Sequence, residues 1–380
     1  MERRFKLKIK GDSPRSLFLA FLLAKLNCDV YIYDFSKNSD LKKDYQIFLL
    51  TNTTKNLLNK FDIWNEIEDI SYGFTSLCIK DNLVSEQLLL RTESLSKKYL
   101  NTIGWTSNYS EIKNLLINKL INTNNVHFIS NNKLIDKTLI FDYEFNFINY
   151  DSILNFFKIP LLKFKKIDEQ ILIFNVYLRG NIEKRLYEIN TTQGLLVLTP
   201  LNKNQYQIIW NNASSQIKET SLISKSFFLD NLTTLLPNEL KVDQIIGDIN
   251  YFSNSNISSF YSIKNKSIYI NENKFKSNSI FDLNFDILIK YILKTFNYSN
   301  KRQSKHISFI NKFRFSILIK YFNIITIFSF SNFLFSLFTI NNIFSLILRK
   351  LLFTLFNKTY LLKNFFNRKF YNSKLNNLIK

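Results

Sequence analysis

The chain has 380 residues, which is enough for two packed lobes with sizeable cores. Lys and Arg number 51 against 30 Asp and Glu, and this net charge of +21 indicates either an anionic partner or a compositional bias towards Lys and Asn. Because the only cysteines are Cys28 and Cys78 and only two histidines are present, we expect neither a disulfide framework nor a metal site.

The N-terminal segment predicts a strand, a turn, a helix and a second strand. FKLKIK at 5–10 alternates as a strand, GDSPRS at 11–16 is a turn, the apolar stretch from Ser16 to Leu26 is a helix, and DVYIYD at 29–34 is a strand. This order opens a dinucleotide-binding fold. A signal peptide is not expected, because no apolar region follows the charged N-terminus before Gly11.

The following segments predict helices first and then a sheet. Amphipathic helices are expected at 51–68 and 107–121, the second capped by Ser107 or Asn108, and strands at 126–130 and 137–142. The middle of the chain changes to closely spaced strand-like segments, which predict an antiparallel sheet: 171–180, 185–190, 194–201 and 206–212. The remaining predicted elements are a helix at 219–235, strands near 243–252 and 266–271, and a helix at 281–296.

The C-terminal part contains a long stretch without charge, from Tyr321 to Leu348. Its length permits a transmembrane helix. Recurrent Asn, Ser and Thr favour instead two or three amphipathic helices, with one face on the protein and another available to a membrane surface. Basic residues from Arg349 to Lys369 then alternate with Leu and Phe.

The turn after the first strand is a candidate pyrophosphate site. In a Gly-x-Gly-x-x-Gly turn, glycines let the backbone approach the phosphates at a helix N-terminus, and an acidic residue after the second strand binds the ribose. Only the first glycine is present here, Asp12 opposes a phosphate, and Arg15 could offset that charge. A weakened dinucleotide site and a βαβ unit kept for folding alone are both compatible with this turn. The candidate ADP contacts are Gly11, Ser13, Ser16 and Asp34.

The segment LYEINTTQGLLVLTPL at 186–201 carries the most specific pattern. It matches, without gaps, the motif Ala-Tyr-Glu-Arg-Phe-Thr-x-x-Gly-Pro-Leu-Ala-Leu-Leu-Pro-Leu, and IIW at 208–210 follows it. Together with weaker matches over 11–34, over 46–67 and from Lys320 to Phe370, it resembles the p-hydroxybenzoate-hydroxylase-like flavoproteins, specifically the branch of ubiquinone biosynthesis.

The flavin motifs of that family are altered in this chain. The family has Asp-Gly after the strand that ends its first lobe, whereas Tyr143 follows Asp142 here, and Asp142 is a weaker candidate for a cofactor contact. Glu272 stands where the resemblance places the aspartate that contacts the ribityl chain. The glycine-rich loop that passes the flavin ring is missing from 276–284, although such a loop needs glycine because its backbone closely approaches the ring.

The resemblance implies an α/β protein with a Rossmann-like FAD-binding lobe, an inserted antiparallel β-sheet substrate lobe and C-terminal helices. The corresponding ranges are 1–150 with 262–310, 151–261 and 311–380. It implies an FAD- and NAD(P)H-dependent monooxygenase that hydroxylates a prenylated phenol in ubiquinone biosynthesis, with no catalytic side chain assigned. Arg179, Tyr187 and Trp210 are candidate substrate-lobe residues, and sheet packing is the alternative role of each.

The eroded flavin motifs support a second hypothesis. The chain could be a degenerate, non-catalytic homologue that serves as a scaffold or lipid-binding partner in a quinone-biosynthesis assembly. The expected partners are a prenylated phenol or quinone precursor and a membrane surface, and the expected location is the cytoplasm or the inner face of the membrane. Nucleic-acid binding is not expected, because the basic residues are spread along the chain without a recognised module.

Overall fold

The structure is a computed structural model, and it describes residues 4–33, 47–91, 102–129, 139–148, 168–180, 183–212, 225–255, 261–264, 267–271 and 342–359. The chain forms two compact units. The first unit is Met1–Tyr72, Trp105–Asp168 and Asn254–Leu293, and the second is Gly73–Gly104, Glu169–Ser253 and Lys294–Lys380.

The described elements follow one another in mixed order along the chain. They are β1 (Lys6–Lys10), α1 (Pro14–Lys25), β2 (Asp29–Tyr33), β3 (Ile47–Thr51), α2 (Asn52–Asn59), α3 (Trp64–Asp69), β4 (Ser71–Phe74), β5 (Ser76–Asp81), β6 (Glu86–Arg91), β7 (Gly104–Asn108), α4 (Tyr109–Ile121), β8 (Val126–Ile129), β9 (Tyr143–Ile148), β10 (Asp168–Arg179), β11 (Arg185–Thr191), β12 (Gly194–Pro200), β13 (Gln205–Asn212), α5 (Lys225–Leu235), β14 (Lys241–Ser255), β15 (Tyr261–Lys264), β16 (Ser267–Asn271) and α6 (Ile343–Lys358).

A six-stranded sheet of Rossmann type lies at the centre of the first unit. Its strand order is β15-β16-β9-β1-β2-β8, and all neighbours run parallel except β15, which is antiparallel to β16. The predicted order of β1, α1 and β2 is confirmed. Because the strands of this parallel set share one direction, the carboxyl ends of β1, β2, β9 and β16 meet at one edge of the sheet.

The strand predicted at 137–142 is wrong in position. Residues 139–142 are not in a strand, and β9 runs instead from Tyr143 to Ile148. The reason is the alternation of Tyr143, Phe145 and Phe147, whose side chains are all buried and give this stretch one apolar face.

The stretch 51–68, predicted as one amphipathic helix and its exit, contains two helices, α2 and α3. The connection between them contains Asp62, whose φ of +57° lies in the left-handed region that a continuous right-handed helix excludes. Trp64 begins α3 and is buried, with its ring edge-to-face against Trp105 at 4.8 Å between centroids. This aromatic pair anchors α3 to β7.

A seven-stranded sheet forms the second unit, in the order β14-β10-β13-β12-β11-β5-β6. The antiparallel arrangement predicted for the middle of the chain is confirmed for β10 with β13, β13 with β12, and β12 with β11. No prediction covered β5 and β6, which come from the stretch assigned to the first lobe. They join this sheet because β5 pairs in parallel with β11, from Ser76 opposite Arg185 to Asp81 opposite Asn190.

The hydrophobic core of the second unit lies between this sheet and α5. Phe228 and Leu232 of α5 are buried in the same cluster as Phe174 of β10 and Trp210 of β13. The part of the predicted helix at 219–235 that precedes Lys225 lies outside the described residues. One face of the sheet is therefore an apolar surface covered by a helix.

The last described helix, α6, packs beside β6 and forms a buried ion pair with Asp81 at the end of β5. Arg349 Nη1 lies 3.3 Å from Asp81 Oδ2, and both side chains are inaccessible to solvent. Asn190 Nδ2 donates to the same carboxylate oxygen at 3.2 Å, and the backbone N–H of Leu83 donates to Oδ1 at 2.9 Å. These bonds replace the water that the carboxylate loses on burial.

Most of the uncharged stretch 321–348 and the helix predicted at 281–296 lie outside the described residues. Within the part of the chain that the structure does describe, no helix combines the length and hydropathy needed to cross a membrane.

The buried pair predicts a large penalty when one partner is removed. We expect Arg349→Met to lower the free energy of unfolding by about 3–5 kcal/mol, because the Asp81 carboxylate would remain buried without its cation. Urea unfolding followed by circular dichroism measures this change. Lys350→Met, at the exposed neighbouring position, is the matched control, and Asp81→Asn combined with Arg349→Met should recover part of the loss. Equal stability of the Arg349 and Lys350 variants would contradict the role of the pair.

Candidate functional site

Gly11 is held in place by the backbone of the first unit. Its φ is +134°, and its N–H donates to the carbonyl oxygen of Tyr33 at 3.2 Å. A Cβ added at Gly11 would lie 2.9 Å from Cβ of Phe147, closer than side-chain carbons approach. The turn and the packing against β9 therefore both require glycine here. This requirement holds whether or not a ligand binds.

Ser13 and Ser16 hydrogen-bond to each other at the start of α1. Ser13 is the N-cap, its Oγ accepts from the N–H of Ser16 at 3.1 Å, and Ser16 Oγ donates to the carbonyl oxygen of Ser13 at 2.8 Å. The two side chains are only 6% and 0% exposed. An N–H that a pyrophosphate could accept from is thus taken by a side chain of the turn itself.

An internal anion lies beside this helix N-terminus. Asp12 precedes the N-cap, and its Oδ2 is 3.0 Å from Nζ of Lys113, which reaches it from α4. The Lys113 side chain is 7% exposed, so the pair is shielded from solvent on one side. The chain's own carboxylate pairs with this lysine, and a negative charge next to a helix N-terminus opposes the phosphate that a dinucleotide site would bind there.

The residues of the turn therefore do not fit a dinucleotide pyrophosphate in the usual way. The Cβ of Ser13 stands where the second glycine would leave the backbone bare, and Asp12 already neutralises the buried cation. The two other acidic candidates, Asp34 and Glu272, follow the ends of β2 and β16 in sequence and lie outside the described residues.

Asp142 lies at the opposite edge of the sheet from Gly11. Its Oδ2 accepts from the backbone N–H of Lys6 at 2.9 Å, and its own N–H donates to the Lys6 carbonyl at 2.8 Å, where β1 and β9 begin. Gly11 lies beside Phe147, five residues further along β9, or about 17 Å. The structure does not bring Asp142 together with Gly11, and the acidic residue that follows the carboxyl end of β9 in sequence is Asp151.

Tyr187 and Trp210 lie together in the core of the second unit. Their side chains are 4% and 1% exposed, and Trp210 packs edge-to-face on Phe228 of α5. Trp210 Nε1 donates to the carbonyl oxygen of Gln193 at 3.1 Å, and burial raises the pKa of Tyr187 to about 12. Both residues pack the sheet against α5, and this packing by itself accounts for their positions.

Arg179 is separated from that core. It ends β10, its side chain is exposed, and its guanidinium pairs with the carboxylate of Asp243 on β14, with Nε at 3.1 Å from Oδ1. An exposed pair of this kind contributes little to stability. The structure brings Tyr187 and Trp210 together and leaves Arg179 at the surface.

Glu188 lies on the other face of the sheet, because neighbouring residues of a strand point to opposite sides. It is partly buried, and the loss of water contact raises the pKa of its carboxyl to about 7. Thr199 and Gln207 lie on the same face, 2% and 1% exposed, and among the described residues Thr199 Oγ1 has no hydrogen-bond partner. In the sequence, this polar face is indicated by polar residues that occur at alternate positions of strands that are otherwise apolar.

Structural comparison shows that the fold of this chain is similar to that of solved monooxygenases. No protein-family model and no curated protein matches the sequence. The p-nitrophenol 4-monooxygenase PnpA from Pseudomonas putida DLL-E4 superposes with a TM-score of 0.65 at 12% identity, over 97% of this chain and 98% of that one. The chain has the FAD-binding monooxygenase fold.

Two further solved structures share this fold. PqsL from Pseudomonas aeruginosa, in complex with 2-aminobenzoylacetate, gives a TM-score of 0.61 at 9% identity over 83% of this chain and 92% of that one. An HpxO variant from Klebsiella pneumoniae, complexed with FAD, gives 0.54 at 9% identity over 81% and 84%. At this level of identity the likeness establishes the arrangement of the elements, and the side chains of each site have to be judged on their own geometry.

The contacts within the turn at 11–16 predict that the side chains of Asp12 and Ser13 limit FAD binding. We expect Asp12→Ala combined with Ser13→Gly to bind FAD and ADP at least about tenfold more tightly than the natural chain, because Lys113 is then available to a phosphate. Calorimetric titration with ADP and quenching of flavin fluorescence measure the affinities. Asp29→Ala, which removes a carboxylate at the opposite edge of the sheet, is the matched control. Equal affinity of the natural chain and the double variant would show that the turn does not limit binding.

The raised pKa of Glu188 predicts a pH-dependent stability. The folded chain holds this proton up to about pH 7, whereas the unfolded carboxyl releases it near 4.5, so folding loses stability as the pH rises between these values. Glu188→Gln lacks this loss, and its advantage in the free energy of unfolding should grow by on the order of 1–3 kcal/mol from pH 4.5 to 7.5. Urea unfolding at several pH values tests this, with the exposed Glu239→Gln as control. A difference that is flat with pH would contradict it.

Proposed function

We propose that the protein is a monooxygenase-like protein of ubiquinone biosynthesis and that its ligand is a prenylated phenol. Two observations support this proposal. The fold is that of FAD-binding monooxygenases over nearly the whole chain, and the specific segment 186–201 forms the β11–β12 hairpin of the second unit.

The hairpin explains why most residues of the segment match the family pattern. Thr191 Oγ1 donates to the carbonyl oxygen of Gly194 at 2.7 Å, and Gly194 has a φ of +113°, so both shape the turn. Tyr187, Leu196 and Leu198 are core residues. Glu188 is the charged residue among the matches, and neither the turn nor the core accounts for it.

The partly buried carboxyl of Glu188 is therefore the observation on which the proposal of a phenol ligand rests. A partly buried carboxyl with a pKa near 7 can donate a hydrogen bond when protonated and accept one when ionised. Both forms suit a phenol hydroxyl. Thr199 and Gln207 add polar groups to the same face. The strand alternation places the aliphatic Val197 and Ile209 on this face as well, and their side chains suit an apolar ring.

Hydroxylation of such a ring would require the oxygen chemistry that FAD, reduced by NAD(P)H, supplies when it is bound. The likeness of fold supports this hydroxylase form of the proposal. The second candidate is a non-catalytic homologue that binds the same ligand in a quinone-biosynthesis assembly. The ion pair of Asp12 with Lys113 and the cap formed by Ser13 favour this second form.

Two measurements on the purified full chain test these statements. The first is flavin absorbance, before and after addition of FAD. Stoichiometric FAD with ligand-dependent NAD(P)H consumption would establish the hydroxylase, and a colourless protein that takes up no added FAD would establish the non-catalytic form.

The second measurement is calorimetric binding of a short-chain prenylated phenol. We expect Glu188→Gln to weaken this binding by about tenfold, because the amide cannot ionise to accept a charge-assisted hydrogen bond from the phenol. The exposed Glu239→Gln should bind as the natural chain does. If the natural chain binds no prenylated phenol, the proposed function fails in both forms.

A further inference from the structure

Helix α6 buries an arginine and leaves a row of apolar side chains exposed. Its buried residues are Ser345, Arg349 and Phe353, spaced four apart and therefore on one side of the helix. A helix on the surface of a protein normally buries its apolar side. Here the inward side carries an arginine, and its cation is completely buried.

The Asp81–Arg349 pair fixes this rotation of the helix. Turning α6 to bury its leucines would draw Arg349 away from Asp81, whose carboxylate would stay buried without a cation. Asn342 Oδ1 accepts from the N–H of Ser345 at 2.7 Å, and Asn357 Nδ2 donates to the carbonyl oxygen of Gln87 at 3.0 Å. The first of these bonds caps the helix from within, so the rotation is held at the centre of the helix by Asp81 and near its C-terminal end by Gln87.

The consequence is a row of exposed apolar side chains on the opposite side, which we call the outer face of α6. It spans most of the helix at helical spacing, and each of its side chains is more than half exposed. Its members are Ile343 (78%), Phe344 (75%), Ile347 (55%), Leu351 (54%) and Leu355 (51%). Contiguous apolar surface of this kind marks an interaction site.

The charges on the helix indicate which partner the outer face meets. Helix α6 has no acidic residue, and the exposed Lys350 and Lys358 flank the apolar row. The chain as a whole carries a net charge of +21. An apolar face bordered by lysines is complementary to a bilayer with anionic headgroups, where the side chains enter the acyl boundary and the lysines meet the phosphates.

We propose that the outer face of α6 docks the protein on the surface of an anionic lipid bilayer. The helix has 16 residues and is about 24 Å long, so it lies along the interface and is too short to cross the hydrocarbon core. This adds a lipid surface to the proposed function, since a prenylated phenol partitions into the same bilayer. The docking itself involves neither FAD nor the phenol.

Flotation of the full chain with vesicles tests the proposal. We expect binding to vesicles of phosphatidylcholine with 30% phosphatidylglycerol, about tenfold weaker binding to phosphatidylcholine alone, and a further decrease at high salt. Ile347→Asp combined with Leu351→Asp should lower the partition coefficient at least about tenfold, because two apolar side chains no longer enter the acyl boundary. Both positions are exposed, so the thermal unfolding of the variant should match that of the natural chain.

The matched control is Ile121→Asp combined with Ile140→Asp. These two isoleucines are 57% and 82% exposed and belong to the first unit, so the control makes the same change of charge and apolar area away from α6. We expect it to bind vesicles as the natural chain does. Equal vesicle binding by the α6 variant and this control would overturn the proposal.

The other possible occupants of the outer face give distinct results. A second copy of the chain would appear in sedimentation velocity as a dimer that the α6 variant dissociates, without vesicle binding by the natural chain. A segment of the chain itself would appear as loss of thermal stability in the α6 variant, again without vesicle binding. Either result overturns lipid docking. Because the vesicles contain no phenol, failure here leaves the phenol-binding test unaffected.

Discussion

The chain itself supplies a hydrogen-bond acceptor and a negative charge at the N-terminus of the helix that follows β1. These two contacts decide what the turn can bind. Ser13 takes the N–H of Ser16, and Asp12 supplies the anion that faces Lys113. In a dinucleotide site those roles belong to the pyrophosphate. The same turn keeps Gly11 because of Phe147. The packing of the fold is therefore sufficient to explain Gly11. Whether the turn binds a cofactor depends on Ser13 and Asp12.

The two faces of the sheet in the second unit carry different kinds of side chain. Tyr187 and Trp210 belong to the face that α5 covers, where burial and close ring contacts account for them. Glu188, Thr199 and Gln207 belong to the other face. Residues that match a family motif can therefore match for different physical reasons. Within 186–201, the turn and the core account for most matches, and they do not account for the carboxyl of Glu188.

The buried pair of Asp81 and Arg349 links the stability of the second unit to its surface. Its geometry holds α6 in a rotation that places five apolar side chains in contact with solvent. A rotation that separated the pair would leave the Asp81 carboxylate buried without its cation, so the pair favours the observed rotation. The outer face of α6 is then a product of the same contact that attaches the helix to the end of β5.

Local pattern in the sequence was sufficient for β1, α1, β2 and the strands β10 to β13, because alternation and helical periodicity reflect burial of a single element. It was insufficient for β9, whose start depends on pairing with β1, and for the parallel pairing of β5 with β11. Asp12 and Lys113 are 101 residues apart, and Asp81 and Arg349 are 268 apart. The sequence by itself determined the order of elements and the loss of glycines. Only the tertiary structure decided which charges meet, because such contacts depend on elements brought together from distant parts of the chain.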